Sequence, residues 1–366
     1  VNSIFHYKNL QFQVGTLVLG TACLCLAASA VTAENERPII GVIAQETTEA
    51  MESTFPAYGS FIVASYVKAI ESSGARVVPI LIGQTEEYYE EMFQAINGLV
   101  IPGGAAEFNG TNNYYSTSRK MYQLALRANM DGDYFPILGV CLGYEVILTF
   151  ANNERRIRKE CQVKNVNLPL EFVPGYQNSS LYRDASDELV LHLDIAIVTA
   201  SGFHSAYCEL STFETKLSSN PFISSIEHTQ FPFAGIQFHP EKVSFEWSIK
   251  KNYPHSSEAI QASRHFYDWV VKEARKSNHY FSNSSTEYES LIYNYNPTYT
   301  DRSRPPYTQM YLFEKPEDPS REIRVLSKEI WQRLKVHTAF FLSTAELARS
   351  SKISEKEPCN LKSWTP

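Results

Sequence analysis

The amino-acid sequence predicts an α/β fold with a mostly parallel central sheet flanked by helices, on three observations. Short, continuous apolar runs recur along the chain, as strands buried on both faces require. Each of the early runs is followed by a stretch with helical periodicity or a helix-start signal. No internal repeat or low-complexity linker breaks the series between Glu34 and Phe313.

Ile39 to Ala44, after Arg37-Pro38, is the first strand. Ile62, Val63, Tyr66, Val67 and Ile70 then share one helical face, and Gly74 is the stop. Val77 to Ile82 is the second strand, and Thr85-Glu86-Glu87 opens a helix with an oxygen cap and two carboxylates at its positive end. Gly98 to Ile101 is the third strand; a helix near Thr117 to Ala128 leads to a fourth, Ile137 to Val140. The second half reads as shorter, less regular strands at Val166 to Val173, Ile195 to Thr199, Phe222 to Glu227 and Ala234 to Phe238, closed by a helix from Ser257 to Ser277.

A chain of 366 residues with 43% hydrophobic content can fill one large core, and a single domain over 34–313 is the simplest division. The net charge of -7 and the lack of a long basic run argue against nucleic acid as a partner. Residues 1–33 hold the one membrane-like stretch, Val14 to Ala33, whose small-residue end suits signal-peptidase cleavage near Ala33. A signal anchor is the rival reading, but the Ala, Ser, Thr and Gly content makes this run weakly hydrophobic. No methionine precedes Met51, so the first dozen residues are expected to come from an incomplete or upstream-extended reading frame.

A secreted or lysosomal destination follows from the signal, and sequons at Asn109, Asn178 and Asn283 fit that route as glycosylation sites. Cys141, Cys161, Cys208 and Cys359 remain after cleavage, too few for a disulfide scaffold; a Cys161–Cys208 bridge stays open because spacing alone cannot establish it. Residues 314–366 change character to Glu-Lys-Pro-Glu-Asp-Pro, a stretch with amphipathic spacing from Arg321 to Leu342, and a polar end. They are expected to form a poorly ordered extension, with a docking helix as the alternative.

The chemistry is expected at strand ends. Gly139-Val140-Cys141-Leu142-Gly143 lies between a buried strand and an apolar helix, the pattern of a nucleophile elbow with cysteine in the serine position. A helix N-terminus there favours thiolate over thiol. An inert buried cysteine is the bland alternative, and the flanking glycines argue against it. Phe238-His239-Pro240-Glu241-Lys242 follows another strand, so His239 can serve as proton-transfer partner while Glu241 turns back to hold its second ring nitrogen. A surface His-Pro turn is the competing reading of that fragment. Ile101-Pro102-Gly103-Gly104 supplies backbone N–H groups at Gly103 or Gly104 which, with that of Leu142, would form an oxyanion hole, unless it is an ordinary turn.

Together G-V-C-L-G, F-H-P-E-K and I-P-G-G resemble the class I glutamine amidotransferase-like superfamily, whose triads run Cys, His, Glu. R-P-I-I-G-V-I-A-Q, A-S-Y-V-K-A-I-E-S-S-G-A-R-V-V-P, I-N-G-L-V-I-P-G-G, D-G-D-Y-F-P-I-L-G-V-C-L-G-Y-E and G-I-Q-F-H-P-E-K bring the chain closer to the γ-glutamyl hydrolase family, from Arg37 to about Phe313. That resemblance implies a peptidase acting on folate poly-γ-glutamates without metal or organic cofactor. Cys141, His239 and Glu241 fall on the family triad, while Tyr66, Glu145 and His204 match residues lining the site. Ala151 to Tyr182 matches only loosely, and the tail has no counterpart.

The expected partner is a small γ-glutamyl substrate, with no stable membrane association after signal cleavage; a homodimer is compatible. Two other functions compete: a glutaminase-type amidotransferase domain, which should be intracellular and joined to a synthetase, and a non-catalytic secreted binding protein, which should lack a triad member. A zinc site using Cys141, His204 and His239 has no close ligand pair to support it.

Overall fold

The computed structural model describes residues 34–106, 112–155, 167–186, 194–196, 207–215, 218–249, 251–300 and 307–315. The expected signal segment, His204, Asn109, Cys161, the side chain of Cys208 and the stretch from Arg321 to Leu342 lie outside the described residues.

The first half alternates as its apolar runs require. β1 (Ile39–Ile43), β4 (Arg76–Ile80), β5 (Gly98–Ile101) and β6 (Ile137–Val140) pair in parallel, in the order β4-β1-β5-β6. Every residue of β1, β5 and β6 is buried, so both sheet faces are covered. β12 (Phe233–Ile236) joins β6 in parallel. Beyond it, β11 (Ser218–His228), β10 (Tyr207–Thr215) and β8 (Glu171–Phe172) continue the same sheet in antiparallel pairing, giving eight strands among the described residues.

Two helix layers cover this sheet. α2 (Ala64–Ser72), α6 (Pro240–Phe245) and α7 (Ser257–Ala274) pack together, as do α3 (Glu86–Ala95), α4 (Asn113–Met130) and α5 (Leu142–Ala151). The expected cap is present on α3, where the Thr85 side chain accepts from the Tyr88 N–H, and Gly74 and Gly132 follow α2 and α4 at φ +90 and +82.

Two expectations need correction, and one sheet is unforeseen. Ile62 and Val63 do not begin a helix: they end β3 (Tyr58–Val63), because Phe61 pairs with Gln45 in the two-residue β2 (Gln45–Glu46). Backbone pairing outweighs helical spacing there, and the helix keeps only Tyr66, Val67 and Ile70 of the expected face. The expected strand from Val166 to Val173 is two pieces in different sheets, β7 (Asn167–Pro169) with β9 (Asp194–Ala196), and β8 with β10; Pro169, lacking an N–H donor, ends the first. A separate four-stranded sheet, β13-β14-β3-β2, is not foreseen by the sequence pattern; it pairs β13 (Thr298–Tyr299) and β14 (Gln309–Glu314) with strands from the start of the fold.

α5 starts directly against the sheet, and this needs two glycines. A Cβ on Gly143 would lie 1.9 Å from the Ile101 carbonyl oxygen, and one on Gly139 would lie 2.8 Å from the Gly143 carbonyl and 2.5 Å from Ile147 Cδ1. Gly143→Ala therefore forces backbone apart and is expected to cost on the order of 3 kcal/mol. Gly132→Ala, where no atom lies within 4 Å, carries only the left-handed strain of about 1–2 kcal/mol. Urea unfolding midpoints of the two variants check this ranking.

Candidate active site

Cys141 sits where β6 ends and α5 begins, with φ 52 and ψ -105. Positive φ is strained for a residue with a Cβ and persists only where the surroundings enforce it. They do so here: the Cys141 N–H donates to the Ile236 carbonyl at 2.7 Å, and its own carbonyl accepts from Glu145 N–H at 3.1 Å. The half-buried side chain stands beside a helix N-terminus whose first N–H groups, including that of Leu142, have no acceptor within the helix.

His239 lies three residues past the end of β12 on the neighbouring strand, and Pro240 opens α6 and fixes the turn into it. The turn brings Glu241 Oε1 to 2.7 Å from His239 Nδ1. Glu241 is fully buried at its side chain, and its second oxygen accepts from the Tyr267 hydroxyl at 3.3 Å. Burial opposes the Glu241 charge, but the adjacent imidazole and its hydrogen bond hold the carboxyl below the usual range. Burial and Lys242 push His239 down; the charges of Cys141 and Glu241 and a hydrogen bond to Cys141 outweigh them and raise it to about 9.

The third strand end closes the site. A Cβ on Gly103 would meet His239 Cε1 at 2.6 Å, Cys141 Cβ at 2.9 Å and the Tyr66 hydroxyl at 2.9 Å, so all three surround one point that only glycine leaves open. The Gly103 N–H donates to the Tyr66 hydroxyl at 2.8 Å. Leu142 and Gly104 are thus the members of the expected oxyanion set whose N–H groups are not engaged by Tyr66. Tyr66 itself is buried, its hydroxyl 3.3 Å from His239 Nδ1, the Glu241 side of the ring. Burial foremost, with the charges of Glu241, Tyr267 and Cys141, pushes its pKa well above 10, so the phenol stays neutral. Glu145 is buried in the first turn of α5, near Cys141.

Sequence reasoning assigns no role to Gln45, Gln237 or Tyr114, yet each is buried in this cluster. Gln237 Nε2 lies 3.8 Å from Cys141 Sγ and 3.4 Å from Glu145 Oε1, the Tyr114 hydroxyl donates to the Pro102 carbonyl at 2.7 Å, and Gln45 Nε2 donates to the Gly103 carbonyl at 2.7 Å. Gln237 and Gln45 stand inside motifs that carry the family resemblance, the one signal that could have found them. Among the described residues no group of three or more His, Cys, Asp or Glu side chains is placed to hold a metal ion.

Residues 38–153 match the Peptidase C26 family model. The chain is 34% identical to human gamma-glutamyl hydrolase over 82% of this chain and 97% of that protein. Mouse gamma-glutamyl hydrolase is 37% identical, over 76% of this chain and 90% of its own length. The chain belongs to the γ-glutamyl hydrolase family. Gamma-glutamyl hydrolase B of Dictyostelium discoideum is a further relative, 33% identical over 76% of this chain and 84% of that protein. A glutamine amidotransferase from Methylobacillus flagellatus is similar in structure with a TM-score of 0.38 at 9% identity, covering 64% of this chain and 94% of that one.

In this γ-glutamyl hydrolase family member, a thiol at a strained elbow, an imidazole with its Nδ1 side fixed by a buried carboxylate, and nearby backbone donors can together carry out acyl transfer. The pH response follows from the direction of the His239 shift. A folded-state value of about 9, above the ordinary 6.5, gives a stability contribution fully present below about pH 6.5 and lost as pH rises through 9. Cys141→Ala removes one raising charge and is expected to move the His239 titration downward, so that this loss sets in at lower pH. NMR titration of the imidazole and thermal melting between pH 6 and 10 check both points.

Proposed function

We propose that this chain hydrolyses γ-glutamyl amide bonds, folate poly-γ-glutamates being the substrate class, with Cys141 as nucleophile and His239 as its proton-transfer partner. The observation that carries the reading is the 2.7 Å contact of His239 Nδ1 with the buried Glu241, beside the positive-φ Cys141. The Cys141 thiolate attacks the γ-carbonyl carbon, and the oxyanion is received by N–H groups of Leu142 and Gly104. Collapse of the tetrahedral intermediate breaks the C–N bond, with His239 giving a proton to the leaving amine, and leaves a γ-glutamyl thioester. Water, deprotonated by His239, then cleaves the thioester and regenerates the thiol. Glu241 orients the ring and stabilises the imidazolium.

The γ-linkage is favoured because in a γ-amide the free α-carboxylate and the substituted Cα lie together across the Cβ–Cγ methylenes from the scissile carbonyl, where polar side chains can bind them, whereas in an α-amide the substituted Cα adjoins the scissile carbonyl. Glu145 and His204 are proposed to line the active site, with Tyr66 supporting it from the Nδ1 side of His239. The glutaminase reading is the weaker one, since the human, mouse and Dictyostelium relatives are hydrolases matched over most of the chain.

Cys141→Ala is expected to remove essentially all turnover while retaining substrate binding, and Glu241→Gln to do less harm than His239→Ala. Comparing γ-glutamyl and α-glutamyl peptides, with and without thiol alkylation, tests this. Equal cleavage of both peptides, or full activity after confirmed alkylation of Cys141, defeats the proposal.

Secretion or delivery to the lysosome is proposed from the Val14 to Ala33 signal and the sequons, of which Asn178 and Asn283 are exposed. Among the described residues no helix is long and apolar enough to cross a membrane. The domain is proposed to span 34–313. Intact mass before and after glycosidase treatment should show a chain beginning near Glu34 with N-linked glycan, and truncation after Phe313 should leave turnover nearly unchanged. An unshifted mass, or a large loss on truncation, counts against these assignments.

A further inference from the structure

We infer that Gln45 is a positioning residue that fixes the Gly103–Gly104 peptide so that the Gly104 N–H serves as the oxyanion donor. The inference rests on the proposed acyl transfer and adds to it a residue outside the triad. Four observations carry it.

Gln45 is 2% exposed, and its Nε2 donates to the Gly103 carbonyl at 2.7 Å, a short bond between buried groups. In a planar trans peptide the N–H points opposite to the carbonyl, so holding the Gly103 oxygen toward β2 turns the Gly104 N–H away from β2. The preceding peptide is fixed in the same way. The Tyr114 hydroxyl holds the Pro102 carbonyl at 2.7 Å, and the Gly103 N–H is taken by the Tyr66 hydroxyl at 2.8 Å. Of the two glycine N–H groups this leaves that of Gly104. Finally, a Cβ on Gly104 would fall 1.6 Å from Gln45 Oε1, so the amide lies directly over this glycine and no side chain fits between them.

What holds Gln45 is the small second sheet. Gln45 pairs with Phe61, and its neighbour Glu46 accepts from the Asn113 and Tyr114 N–H groups, anchoring the start of α4 that carries the Tyr114 hydroxyl. β2 therefore reaches the Pro102-Gly103-Gly104 turn directly through Gln45 and indirectly through Tyr114.

The test uses the full chain. Gln45→Met keeps length and bulk but removes the donor. The expected result is a fall in kcat of about 10- to 100-fold, smaller than the loss of a whole oxyanion donor, with KM within about twofold. Inhibition by an N-acylated glutamate γ-semialdehyde, which adds the Cys141 thiol to form a tetrahedral hemithioacetal, should weaken by the same factor. The rate of Cys141 alkylation by iodoacetamide, which forms no oxyanion, should not change. Unchanged kcat and aldehyde inhibition, or alkylation falling in step with kcat, overturns the inference.

Should Gln45→Met fail to fold, Gln45→Glu has the shape of the native side chain. Its carboxylate repels the Gly103 carbonyl, whereas its protonated form can donate to it. Activity relative to the unsubstituted chain should recover as pH falls through the carboxyl range; a pH-independent ratio overturns the inference. Wild-type protein that alkylates at Cys141 but neither cleaves γ-glutamyl amides nor binds the aldehyde instead rejects the proposed function itself.

Discussion

The left-handed backbone at Cys141 is the constraint on which the rest of the site depends. A residue with a Cβ is held at φ 52 only because the turn is fixed on both sides: its N–H on the Ile236 carbonyl, and the start of α5 pressed against Ile101. Gly139 and Gly143 permit that approach, since a methyl group on either would strike the Gly143 or Ile101 carbonyl. The strain, on the order of 1–3 kcal/mol, is offset by the packing of the β5, β6 and β12 strand ends around the elbow. The thiol is thereby placed at the edge of a buried parallel sheet, beside a helix N-terminus.

The neighbouring turn is held by side chains from three elements. Tyr66 on α2, Tyr114 on α4 and Gln45 on β2 each take one polar group of Pro102 or Gly103. Backbone polar groups buried at a strand end need partners, and a loop whose partners are all buried side chains has little freedom to reorient. Preorganisation of this kind is what a developing oxyanion requires, because donors already aimed need no rearrangement during the reaction.

What is legible in the sequence follows from where the signal is local. Gly98 to Ile101 and Ile137 to Val140 read correctly because a buried strand is a short apolar run with clear ends. Thr85 is readable as a cap because its bond spans only three residues. His239 and Glu241 are readable as a pair because they lie two residues apart across a proline. Gln45 is not, because its partner lies 58 residues away and a two-residue strand has no periodicity. The same small sheet explains the misread Ile62 and Val63, whose helical spacing continues into Tyr66 but whose backbone belongs to β3.

Tyr66 links these two regions. With Nδ1 paired to Glu241, the side of the imidazole left for Cys141 and substrate is Nε2, and proton transfer in the proposed reaction must use that side. The Tyr66 hydroxyl is on the other side, 3.3 Å from Nδ1, where it also receives the Gly103 N–H. A neutral phenol there adds no charge that would compete with Glu241 for the ring. It does tie the ring plane to the Gly103 backbone, so a displacement of either is transmitted to the other through two hydrogen-bonding contacts. The proton-transfer group and the oxyanion turn are therefore set relative to one another by a residue of α2.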